Sequence, residues 1–114
     1  MYESVKCGKI IAPSTQATIA DATAGGIEAN SLTFQICKDQ LKAFELIEED
    51  DIKKAVAFIL KNHHTIIEPG AALPVAALLN SKKYKGKNVI LVLTGKKINF
   101  QVLNDVIKNY GDNY

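Results

Sequence analysis

Arginine and tryptophan are absent from this 114-residue sequence, and its fourteen basic residues, all lysine, face twelve acidic ones for a formal net charge of +2. Recognition of nucleic acid normally draws on clustered Lys and Arg, with Arg supplying bidentate base and phosphate contacts. No nucleic-acid partner is expected. Two cysteines, Cys7 and Cys37, cannot staple a secreted framework and show no metal-ligand spacing. They read as packing residues in a reduced, cytoplasmic setting. No run approaches the roughly 18 unbroken apolar residues of a membrane span, and no basic segment precedes an apolar core near Met1. Neither a membrane partner nor an export signal is expected. His63 and His64 are adjacent and cannot share a helix face, so no metal pair is expected there. Gly25 and Gly26 lack the surrounding spacing of a Walker or dinucleotide loop.

What remains is 47% hydrophobic and 23% charged, an ordinary globular balance that excludes disorder and collagen-like repeats. A chain this long is one domain or part of one, read as a single unit over residues 1–114. Met1 and Val5 stand at helical spacing ahead of Gly8, predicting a short helix over 1–9 closed by a glycine cap. From Ala12 to Asn30, Pro13, Ser14, Thr15, Gly25 and Gly26 mark a long irregular connection. Its length points to a functional loop or to packing against something outside the sequence. Ser31 is placed to cap a helix over 32–40, and alternation over 42–47 predicts a short strand with Phe44 and Leu46 on one face. Glu48, Glu49, Asp50 and Asp51 then crowd the start of a helix, where negative charge is favoured. Its stripe of Ile52, Ala55, Val56, Ile59 and Leu60 buries one face.

Thr65–Ile67 reads as a β-branched strand, and the almost wholly apolar run 71–79 as a helix buried all round, with Pro74 near its start. Lys82–Lys87 is a basic turn. The unbroken run Val89–Leu93 has the character of a parallel strand covered on both faces. A turn, Thr94-Gly95-Lys96-Lys97, leads to a last helix capped by Asn99 and bearing Phe100, Leu103, Val106, Ile107 and Tyr110. Alternating strands and helices give the class α/β: a partial open sheet with a buried parallel strand and flanking helices. Two or three strands are too few to cover 89–93. The chain is therefore expected to form a homo-oligomer through that edge, or to be part of something longer.

Ligands of open α/β sheets bind beyond the carboxyl ends of parallel strands, where Thr94, Gly95, Lys96 and Lys97 lie. A hydroxyl and two ammonium groups there suit a phosphate or a ring nitrogen; the competing reading is a solvated loop. Glu68, between two isoleucines and a buried helix, is either a charge favoured by the helix start or a partly desolvated site residue. Asp21 is either a site acid or a turn former.

Taken in order, Met1-Tyr2-Glu3-Ser4 with Gly8-Lys9-Ile10, Thr18-Ile19-Ala20-Asp21, Leu32-Thr33-Phe34, Ile67-Glu68-Pro69 with Ala71-Ala72, and Val89 through Gly95 resemble the C-terminal third of the catalytic domain of threonine dehydratases. These are pyridoxal-phosphate enzymes of the tryptophan-synthase β fold (fold type II), together with serine dehydratases and serine racemases. The resemblance implies that the segment from Thr18 to Ala22, Asp21 included, passes beside the cofactor ring, with Ala22 adding a methyl where most members have glycine. It implies that Glu68 lies near the pyridine, and that the Thr94 hydroxyl bonds the ring nitrogen, with Gly95 beside it. Lys96 and Lys97 depart from the second glycine and the asparagine common at those positions. The family's Schiff-base lysine, in a Ser-Phe-Lys segment, and its glycine-rich phosphate loop do not occur here.

The resemblance thus implies a C-terminal fragment with no catalytic lysine, Met1 being internal or an artificial start. Its partner is the missing N-terminal part of the same domain. The parent converts L-threonine to 2-oxobutanoate and ammonia, with serine as an alternative substrate, and the fragment alone is expected to be inactive and to hold no pyridoxal phosphate stably. Two other readings stand beside it: a non-catalytic module that completes or regulates a dehydratase, and an independent phosphate binder using Lys96 and Lys97.

Overall fold

The computed structural model describes residues 1–12 and 14–112. Along them run five α-helices, α1 (Tyr2–Cys7), α2 (Leu32–Gln40), α3 (Glu49–His63), α4 (Pro69–Asn80) and α5 (Phe100–Tyr110), with 3-10 turns at Asp21–Thr23 and Lys82–Tyr84. Each helix lies where the sequence places one, although α4 begins at Pro69, ahead of the expected 71–79, which puts Pro74 in its interior and not near its start. Gly8 ends α1 at φ 75°, its N–H donating to the carbonyls of Ser4 and Val5, a left-handed cap that glycine adopts without a Cβ penalty. Asn99 starts α5 by accepting the Gln101 N–H at 2.8 Å. Ser31 precedes α2 as expected, but its side chain makes no cap bond and pairs instead with the Thr33 hydroxyl at 2.7 Å.

The core joins α3, α4 and α5. Ile52, Ala55, Val56 and Ile59 are buried as the stripe requires, Ala57 with them, while Leu60 is half-buried. They cluster with Ile67, Ala71, Ala72, Val75 and Ala76, with Val106 of α5, and with Ala20 from the long connection. Alanine supplies half of these buried apolar positions, so the helices approach closely but bury few large side chains. The apolar run of α4 is not buried all round. Its Leu79 is exposed and Leu73, Pro74, Ala77 and Leu78 are half-buried: α3 and the Asp21 turn pack on the helix, and Pro74, Ala77 and Leu78 share only an open recess with Tyr84, Val89, Ile90 and Leu91.

A polar strap holds α5 to α3. Lys53 pairs with Asp105 at 2.9 Å, and Asp50 takes both the Tyr110 hydroxyl at 2.5 Å and the Lys54 ammonium at 2.5 Å. Lys54 first, and Tyr110 after it, hold the Asp50 carboxyl below its usual range, and the contact with Asp50 raises the Tyr110 phenol.

The expected sheet is where structure and sequence part. Among the described residues no β-ladder forms, and 42–47, 65–67 and 89–93 carry no regular secondary structure. A strand exists only by hydrogen bonding to a neighbour, and the Glu68 N–H to the Gly95 carbonyl is the bond that links these stretches. Of the run expected to be covered on both faces, Leu91 rests against the core while Ile90 is 90% exposed, with Val89, Val92 and Leu93 also exposed. In 42–47, Leu46 is exposed, whereas Phe44 packs its ring on Tyr2 at 5.7 Å. Cys37 is half-buried, but Cys7 is exposed, not the packing residue expected. The result is a slab 43 × 36 × 19 Å, with a radius of gyration of 15.3 Å, where a compact domain of this length has about 13 Å.

Candidate functional site

Glu68 is placed by its neighbours. Ile67 on one side and Pro69 on the other are buried, and Pro69 occupies the first helical position, where its missing N–H is no loss. The Glu68 carbonyl accepts the N–H groups of Ala71 and Ala72 at 3.0 and 3.2 Å, and its own N–H donates to the Gly95 carbonyl at 3.1 Å. One residue therefore starts α4 with its carbonyl and fastens the turn after Leu93 with its N–H. The side chain makes no capping bond. It lies over Gly95, where an added Cβ would overlap the carboxylate, and a Cβ on Gly70 would meet Glu68 Oε1 at 3.6 Å, Thr23 Cγ2 at 3.6 Å and Ala22 Cβ at 3.7 Å. The φ of Gly95 is not in the left-handed region. Space, not backbone freedom, is what requires glycine there.

The 3-10 turn carrying Asp21 and Ala22 packs on α4. Ala20 anchors it in the core at 1% exposure. The Thr23 hydroxyl donates to the Ala20 carbonyl at 2.7 Å, and Asp21 Oδ1 accepts the Ala22 N–H at 2.8 Å. Asp21 is thus a turn former in its hydrogen bonding and a wall residue in its position. Asp21, Ala22 and Glu68 line a cleft of about 500 Å³ whose other wall is Lys97, Ile98 and Asn99. Two carboxylates and one ammonium share it, so both signs of charge face its solvent.

The structure therefore brings together Asp21, Ala22, Glu68 and Gly95, separated by up to 74 residues in sequence. Thr94 is exposed and adjoins Gly95 but is not part of the cleft lining, and Lys96 is likewise exposed. Sequence reasoning used Asn99 only as a cap and missed Ile98, Thr23 and Gly70 as neighbours of the site. Their nearness in sequence to Lys97, Ala22 and Glu68 was the available signal. A larger, more apolar groove of about 580 Å³ lies between the end of α1 and the start of α2, lined by Gly8, Ile10, Ile11, Ile27 and Phe34 among others, and holds none of the candidate residues.

Residues 1–95 match the family described as pyridoxal-phosphate dependent enzyme. The chain is 29% identical to an L-threonine ammonia-lyase of Thermotoga maritima, covering 94% of this chain and 26% of that protein. To a beta-hydroxyaspartate dehydratase of Paracoccus denitrificans it is also 29% identical, over 90% of this chain and 32% of that one. It superposes on the crystal structure of serine racemase from Dictyostelium discoideum with a TM-score of 0.72 and 32% identity, covering 86% of this chain and 31% of that one. The chain spans about a third or less of the length of these proteins.

Proposed function

We propose, from the premise that the chain belongs to the pyridoxal-phosphate dependent enzyme family, that it forms the pyridine-side wall of a lyase site acting on β-hydroxy amino acids, L-threonine first among them. The observation that carries the reading is the meeting of Asp21, Ala22 and Glu68 in one cleft, with Gly95 against the Glu68 carboxylate and the exposed Thr94 next to it in the chain.

The residues fit one edge of the cofactor. A neutral hydroxyl at Thr94 offers a hydrogen bond to a ring nitrogen without donating a full charge, and Gly95, lacking a Cβ, leaves the space beside it to the Glu68 carboxylate. Ala22 and Asp21 form a small-residue wall for the ring face, and Glu68 fixes a carboxylate between the two. Pyridoxal phosphate, when bound, supplies the electron sink that labilises bonds at the α-carbon of an amino acid. The amine that takes the α-proton and the N–H groups that hold the phosphate are assigned to the missing N-terminal part, because no Ser-Phe-Lys segment or glycine-rich phosphate loop occurs in these 114 residues. The net reaction releases 2-oxobutanoate and ammonia from threonine. The chain alone is expected to leave threonine intact.

The test is a chimera in which this chain replaces the matching C-terminal stretch of the Thermotoga ammonia-lyase. Threonine-dependent 2-oxobutanoate release that requires pyridoxal phosphate is the expected result. In it, Thr94→Ala, which removes the ring-nitrogen partner, lowers activity about 10- to 100-fold, the equivalent of an unmet buried hydrogen bond. A folded chimera that binds cofactor normally and is untouched by Thr94→Ala would refute the assignment.

The same reading expects the 114-residue chain by itself to self-associate, since the apolar side chains of Ile90 and Val92 are largely exposed. Sedimentation velocity checks this. The double variant Ile90→Lys, Val92→Lys should sediment as a monomer, and a wild-type chain that stays monomeric at high concentration would count against the idea.

A further inference from the structure

Resting on that reading and deepening it, we propose that Glu49 is a positioning residue whose carboxylate, fixed on α3, sets the place of the Asp21–Ala22 wall. Glu49 Oε2 accepts the Ile19 backbone N–H at 2.9 Å across 30 residues of sequence. Glu49 is half-buried in the first turn of α3, where the helix dipole favours its charge. The helix behind it is firmly seated, with Ile52, Ala55, Val56, Ala57 and Ile59 all in the core. Charge-assisted bonds to a backbone N–H are about twice as strong as neutral ones, so the contact ties a long loop to a rigid body.

What lies downstream of the tie is short and internally braced. Ala20 N–H donates to the Thr18 hydroxyl at 3.1 Å and Ala20 itself is buried. The Thr23 and Ala24 N–H groups then close on the carbonyls of Ala20 and Asp21 at 2.8 and 3.0 Å. Thr18, Ile19 and Glu49 also line one shallow recess on the protein's surface. From Ile19 to Ala24 the backbone therefore behaves as a single piece, and Glu49 holds the end of it that faces away from the cleft. Releasing that end shifts Asp21 and Ala22 relative to Glu68 without removing any atom that touches a ligand.

Amide hydrogen exchange on the full 114-residue chain tests this, with no cofactor required. In Glu49→Ala, exchange of the Ile19, Thr23 and Ala24 amides should quicken at least about tenfold, the loss expected for a hydrogen bond to a charged group, while amides in the middle of α3 stay unchanged. Glu49→Gln, whose amide oxygen accepts the same N–H, should restore most of the protection. Glu48→Ala, which removes a neighbouring acid whose side chain caps nothing, should leave all three amides as they were. Faster exchange confined to Ile19, faster exchange spread evenly through α3, or an equal response to Glu48→Ala would each overturn the proposal. The readout is independent of the chimera, so a failure of the cofactor assignment and a failure of the tether are told apart.

Discussion

Ile52→Ala should destabilise the chain by about 2–5 kcal/mol, the range for emptying a buried Ile or Leu position. Ile52 is 1% exposed, and with Ile67, Val56 and Val106 it is among the largest fully buried side chains of the described residues. Because half of the buried apolar positions are alanine, few other side chains are big enough to relax into the void. Domain stabilities lie near 5–15 kcal/mol, so the loss is a large share of the whole, and a urea titration should show the midpoint falling steeply. The matched control is Leu32→Ala in α2. Leu32 is 85% exposed, and the change should stay within about 0.5 kcal/mol. Equal losses at the two positions would mean that the α3–α4–α5 cluster is not the seat of stability.

Gly95→Ala should do the reverse, sparing the fold and damaging the site. The new methyl meets the end of the Glu68 side chain, which is flexible and has no capping bond to lose. Stability should change by less than about 1 kcal/mol, the cost of a single altered rotamer. The carboxylate, however, must leave its place over residue 95. In the chimeric enzyme, activity should fall about 100-fold, the penalty for misplacing a group near the reacting atoms by an ångström. The paired variant Glu68→Ala, Gly95→Ala should lose no more than Glu68→Ala alone, since the methyl then meets nothing. A Gly95→Ala chimera with full activity would separate Glu68 from the chemistry altogether.

The helices were legible because their signals are local. Three-and-four spacing marked Ile52 to Ile59, glycine marked the end of α1, and Asn99 marked the start of α5. The strands misled because Val89–Leu93 carries the composition of a buried strand, while the hydrogen-bonding neighbours that would make it one are not encoded in these residues. The same reason explains the misjudged α4. Its run is apolar on every side, yet it exposes Leu79 where a covering layer is lacking. Within the site, Asp21, Ala22, Glu68 and Gly95 were found through motif order, and their meeting in space is a tertiary fact. Glu49 was visible only as one of four acids at a helix start. Nothing in sequence distinguishes the one that reaches back 30 residues to Ile19 from Asp50 and Asp51, which pair with Lys54.

The backbone of Glu68 belongs at once to the first turn of α4, through its carbonyl, and to the turn that follows Leu93, through its N–H. Acid and hydroxyl thereby ride on one carriage. Sliding or tilting α4 carries Thr94 along with Glu68, and the gap between them is preserved while the helix drifts against α3. Such coupling frees the outer side of α4, around Leu79, to change in bulk or partner without retuning the distance on which a ring held between those two groups would depend.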